Sequence, residues 1–216
     1  MSENLNINIV ENFKNLYESK KYDDSLNYLQ KNSEAFDPAV YQFNLATVYL
    51  AKEDYLKARI HLEKSKDIGG SSNKLFKSLN YTKNSLGVTS IEKDSNGFEK
   101  AEKIISQLPI SVFITLTLLL FILIIPQRIN KFLRGLGVVL LITVASSFYL
   151  FHGKYERVIS LEDKAVFSGP SKMFEQVQLL PRGTVFLFGK EVEGWVQVAF
   201  PKSHFGWITK KDIEEL

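Results

Sequence analysis

Cysteine is missing from all 216 residues, which excludes disulfides, thiolate metal sites and a cysteine nucleophile and leaves either redox compartment open. Histidine is nearly as scarce. His61, His152 and His204 fall in three unrelated stretches and offer no shared site, and no His-x-x-x-His pair exists. The phosphate-cradling Gly-x-x-x-x-Gly-Lys loop and the serine-hydrolase elbow are also absent. Gly135-Leu-Gly-Val-Val-Leu lacks the third glycine of a dinucleotide fingerprint. Glu191 and Glu193 flank a turn as a solvated pair. The expectation is a protein that is not an enzyme, with no catalytic, cofactor-binding or metal-binding residues. The N-terminal Met1-Ser-Glu-Asn-Leu-Asn-Ile-Asn has neither the basic nor the apolar region of a secretory signal.

An excess of one charge is missing from both ends of the chain. Acids and bases balance in residues 1–103 and again in 154–216, so the formal charge of +3 sits on Arg128, Lys131 and Arg134. Neither flank has a basic surplus with which to neutralise phosphates, so no nucleic-acid partner is expected.

What is abundant is apolar sequence in the middle. Between Lys103 and Arg128 run 24 residues without formal charge, and between Arg134 and Lys154 run 19. A spanning helix needs roughly 20 mostly apolar residues. This predicts transmembrane helices at 108–125 and 135–151, joined by a basic loop at 126–134. So short a connection makes a hairpin, and the positive-inside rule would make the loop cytoplasmic. Both flanking domains would then be periplasmic, in a multi-pass inner-membrane protein with lipid as a partner. How the N-terminal domain would be translocated without a signal peptide is left open.

Residues 38–66 carry large and small apolar residues at a regular spacing: Leu45, Ala46 and Tyr49, then Tyr55, Ala58 and Leu62. This resembles the tetratricopeptide repeat, whose alanines let two antiparallel helices approach closely. A degraded upstream copy follows the same spacing through Phe13, Leu16, Tyr17, Tyr22 and Leu29. Residues 71–86 read as a closing helix, with Gly69-Gly70 before it and Gly87 after it. Residues 1–86 are thus expected to form a small all-α repeat domain, and residues 87–107 a polar linker. The resemblance implies a protein-docking groove faced by Phe43, Thr47 and Leu50. The same three residues could equally pack against neighbouring helices.

From residue 157 to 216 the period changes to that of short strands. Arg182-Gly-Thr-Val-Phe-Leu-Phe-Gly and Gly194-Trp-Val-Gln-Val-Ala-Phe are aromatic and β-branched runs punctuated by glycine. Together with Val166-Phe-Ser-Gly-Pro and Phe205-Gly-Trp-Ile they resemble a bacterial SH3-like domain, which implies an all-β barrel. Trp195 and Trp207 either build that barrel or form its ligand face.

The expected fold class is therefore mixed and multidomain: an all-α repeat domain, a two-helix transmembrane hairpin and an SH3-like barrel. That order resembles the BatE-type proteins of the Bat aerotolerance operon. The resemblance implies a membrane-anchored interaction scaffold that assembles with other Bat-type membrane proteins, several bearing von Willebrand A-type domains, in oxygen-stress tolerance or envelope maintenance. The alternative is a cell-wall anchor that binds peptidoglycan through the SH3-like domain.

Overall fold

The computed structural model describes residues 2–93, 100–101, 104–105, 108, 110–124, 131–151 and 155–216. Five helices open the chain: α1 (Ser2–Glu18), α2 (Tyr22–Lys31), α3 (Pro38–Ala51), α4 (Tyr55–Asp67) and α5 (Asn73–Ser85). Their starts are written in the sequence. Asp37 accepts from the backbone N–H groups of Ala39 and Val40, with Pro38 in the first turn where it forfeits no helical hydrogen bond. Asp54 caps α4 through Lys57 N–H, and Ser72 caps α5 through Leu75 N–H.

Ala46 and Ala58 are fully buried where α3 packs along α4. One apolar cluster joins α1, α2 and α3 through Phe13, Tyr17, Leu29, Phe36, Leu45 and Val48. A second joins α3, α4 and α5 through Phe43, Ala46, Leu62, Leu75 and Leu79. In α2 Ser25 is buried, its hydroxyl donating to the C=O of Lys21 at the N-cap.

The C-terminal part is a seven-stranded antiparallel sheet: β1 (Glu156–Ser160), β2 (Lys164–Phe167), β3 (Gln176–Leu180), β4 (Val185–Val192), β5 (Trp195–Phe200), β6 (Gly206–Thr209) and β7 (Ile213–Glu215). The strand order is β3-β2-β6-β5-β4-β1-β7. Side chains alternate across it, so Val196, Val198, Ile208, Val166, Val158 and Phe186 share the core. Glu193 and Gly194, with φ of 47° and 79°, make the tight β4–β5 turn that keeps the register.

Two sequence expectations are corrected here. The expected SH3-like barrel is an open sheet. Its end strands β3 and β7 do not pair with each other, and three-residue β7 is too short to seal the gap.

The expected membrane hairpin is also overturned: among the described residues, no helix is long and apolar enough to cross a membrane. The 108–125 segment yields α6 (Ile110–Ile124), whose 15 residues reach only ~22 Å at ~1.5 Å per residue. A hydrocarbon core is about 30 Å thick. The second segment yields α7 (Lys131–Phe151), which packs along α6. It takes Lys131 and Arg134 into its first turn, so its charge-free part runs only from Gly135 to Phe151, about 25 Å at the same rise. The multi-pass inner-membrane location, the periplasmic placement of both domains and the lipid partner lose their basis with it. Of the basic loop at 126–134, residues 126–130 lie outside the described residues, as does His152.

Candidate functional site

Of the residues expected to form a linker, 94–99, 102–103 and 106–107 lie outside the described residues, but 87–93 enter the contact between helices and sheet. Val88 is fully buried, and Glu92 reaches the β-sheet. Its Oε1 accepts from Val185 N–H at 2.7 Å, and its Oε2 accepts from Arg59 Nη2 at 2.6 Å. Arg59, on α4, has no solvent exposure. Its Nη1 donates to Gly183 C=O at 2.6 Å, so one guanidinium ties the repeat helices to the β3–β4 turn. Its Nε has no hydrogen-bond partner among the described residues.

Around this centre the contact widens. Arg157 of β1 donates to Glu63 and Asp67 of α4. Lys64 donates to Glu214 of β7 at 2.6 Å. A cavity of about 110 Å³ lies between the two parts, lined by Glu63, Lys66, Lys83, Glu92, Arg157 and Phe200 among others. Burial pushes the Glu63 carboxyl up, but Arg157, Lys66, Arg59 and Lys83 together outweigh it and hold it below the ordinary carboxylate range. Glu63 therefore gives up its charge at a lower pH than an ordinary carboxylate does.

His61 behaves oppositely. Its ring stacks on Tyr49 at 5.3 Å and its Nδ1 shares a hydrogen bond of 2.7 Å with Gln42. Burial first, then Lys64 and Lys57, push it down to about 4, against the pull of Glu214. The unfolded chain binds this proton near pH 6.5, well before the folded chain does. Stability is therefore unaffected above that pH, falls as pH drops from 6.5 to 4 and then levels off. The loss should be on the order of 2 kcal/mol. Urea titrations at pH 7 and pH 4.5 should show it in the native chain. A His61→Phe variant, which keeps a ring against Tyr49, should show much less.

The predicted groove residues separate. Phe43 packs against Leu75 and Leu79 yet also lines a groove of about 380 Å³ with Ala39, Val40 and Gly70. Thr47 turns its hydroxyl onto Phe43 C=O at 2.9 Å, and neither it nor Leu50 lines that groove. Val40, 48% exposed, is one of the groove residues that spacing did not single out. Its place at the first turn of α3 was the available signal.

Trp195 and Trp207 are half-buried and alternate with the core residues Val196, Val198 and Ile208, so both stand on the outer side of the sheet. Phe167 pairs with Trp207 across β2 and β6 and meets Trp195 edge-on at 5.5 Å. They border one another but do not meet the repeat groove. Among the described residues no group of His, Asp and Glu is arranged to hold a metal ion.

The arrangement is that of a five-helix unit fastened to an open β-sheet. No protein-family model matches the chain, and neither does any curated protein or solved structure.

Proposed function

We propose that this chain is a protein-interaction scaffold of BatE type, acting with Bat-type partners that bear von Willebrand A-type domains, in oxygen-stress tolerance or envelope maintenance. The observation that carries this reading is the α3–α5 groove. Ala39, Val40, Phe43 and Leu75 give it apolar walls, and Asp37, Ser65, Ser71 and Ser72 give it a polar rim. Pockets of this size with a few convergent polar groups receive a single anchoring side chain or short segment of a partner. The buried Arg59 junction supports the reading further, because a scaffold must present its surfaces in one fixed relation.

Affinity purification of the tagged full chain should recover proteins with von Willebrand A-type domains. Val40→Glu places a charge in the groove at a half-exposed position and should cut that recovery at least tenfold without unfolding the chain. Recovery of no such partner by intact protein, or retention on purified cell-wall sacculi instead, overturns the scaffold.

A further inference from the structure

The repeat helices cover only one side of the β-sheet. Their contacts fall on β1, the β3–β4 turn, the start of β4, and β7, through Arg157, Gly183, Val185 and Glu214. The outer side of β5, β6, β2 and β3 is left open among the described residues. Register places Leu179 beside Ala165 and Phe167 beside Trp207, with Trp195 edge-on to Phe167 and Gln197 opposite Trp207. Thr209, opposite Trp195, completes this surface. None of these residues is charged.

Exposed apolar side chains continue the surface at its margin. Val177 and Leu179 are 57% and 50% exposed, Phe174 and Phe205 are 50% and 57%, and Met173 is 95%. A single half-exposed leucine needs no explanation, but five exposed apolar side chains on β3, on the β2–β3 loop and just before β6 mark a contact surface. The open backbone edge of β3 is not the attraction. It is interrupted by a bulge, and His204 hydrogen-bonds the Leu179 backbone beside it.

We infer that this face is a self-association surface, which joins two copies of the chain across a two-fold axis. Two observations select a second copy over a different partner. The first is charge. An isologous contact brings every patch against its own copy, so any charged face meets its own sign. A face of four strands whose nearest charges, Lys190 opposite Gln197 and Lys202 beside Phe205, stand at its rim keeps that penalty small, and a strongly acidic or basic partner would find little on it to pair with. The second is area. Half-exposed side chains of this size offer roughly 100 Å² each, so the five marginal residues bring about 500 Å² per copy and the pair about 1,000 Å² before the tryptophans add theirs. That reaches the lower bound for a specific interface. A dimer with a micromolar dissociation constant is the expected class. Dimerisation would double the repeat grooves on one assembly, so the inference extends the scaffold reading without depending on it.

Sedimentation or light-scattering mass of the purified full chain, from 1 to 100 μM, tests the idea. The native chain should move from monomer to dimer in that range. The double variant Val177→Lys/Leu179→Lys, with far-UV circular dichroism unchanged, should weaken dimerisation at least tenfold, because like charges then face each other. α6 and α7 also expose apolar side chains, among them Leu118 and Ile142. Association that persists unchanged in the double variant assigns the contact elsewhere and overturns the inference, as does a monomer mass at 100 μM. The cysteine-free background allows a second check. Gln197→Cys should give a dimer band with a short bismaleimide, and Asn84→Cys on α5 should not. The reverse pattern overturns the inference as well.

Discussion

Glu92→Ala should cost the folded chain about 3–5 kcal/mol, the loss typical of removing one partner from a buried ion pair. The carboxylate answers two buried demands at once, the Arg59 guanidinium at 2.6 Å and Val185 N–H at 2.7 Å. Without it, Arg59 keeps only Gly183 C=O and a long 3.4 Å contact to Glu63. Lys83, 3.2 Å from Glu92, also loses its partner, but that group is partly solvated and adds little. Glu92→Gln keeps an acceptor for Val185 and should cost less than the alanine. The double variant Arg59→Met/Glu92→Leu removes both buried charges together, so its loss should fall well short of the sum of the single ones. Urea titration at constant slope measures the native chain, these variants, and Arg59→Met and Glu92→Leu alone. A Glu92→Ala chain within 1 kcal/mol of the native one would show that the repeat helices and the sheet are not joined through this carboxylate.

That junction was the part of the molecule least legible in the sequence, and the reason is physical. Helix starts are local: Asp37-Pro38, Asp54 and Ser72 can be read as caps because their partners lie two or three residues away. Strand alternation is local too, so Trp195-Val-Gln-Val-Ala-Phe declares its two faces without a neighbour. The Glu92–Val185 bond spans 93 positions, and Arg59 to Gly183 spans 124. Nothing in a stretch rich in serine, asparagine, glycine and charge marks one carboxylate for burial. Polar composition therefore reads as linker, whereas the segment through Glu92 is an interface.

The same distinction explains the membrane expectation. Counting charge-free residues measures a run of sequence, whereas spanning depends on the length of a continuous apolar helix. Among the described residues the run before Arg128 contributes Ile110–Ile124 to α6, and α7 begins on charged residues. Phe43 lies at the groove because one face of α3 carries it toward α5. Thr47 and Leu50 follow it at helical spacing but do not share the groove, because the groove opens at the start of α3 beside Gly69 and Gly70 rather than along its whole length.

Gly183→Ala should destabilise the chain by about 3 kcal/mol, from two sources that a second substitution can separate. Gly183 has φ of 78°, a region where a side chain is strained by roughly 1 kcal/mol or more. Its added Cβ would also stand 2.7 Å from Leu86 Cδ1, the far end of a flexible side chain just after α5, so relieving the overlap falls at the low end of roughly 1–3 kcal/mol. Any shift of the turn would lengthen the Arg59–Gly183 bond as well. Leu86→Ala removes the overlapping methyl but not the backbone strain. In that background Gly183→Ala should therefore cost only the strain component, so the two changes couple by at least 1 kcal/mol although they lie in different parts of the fold. Gly194→Ala supplies the control. Its φ is 79°, but an added Cβ there meets nothing within 4 Å, so it should cost the strain alone and be indifferent to residue 86. Equal costs for Gly183→Ala with leucine or alanine at position 86 would mean that the β3–β4 turn does not rest against the repeat helices, and that the two surfaces of this chain are not held in one frame.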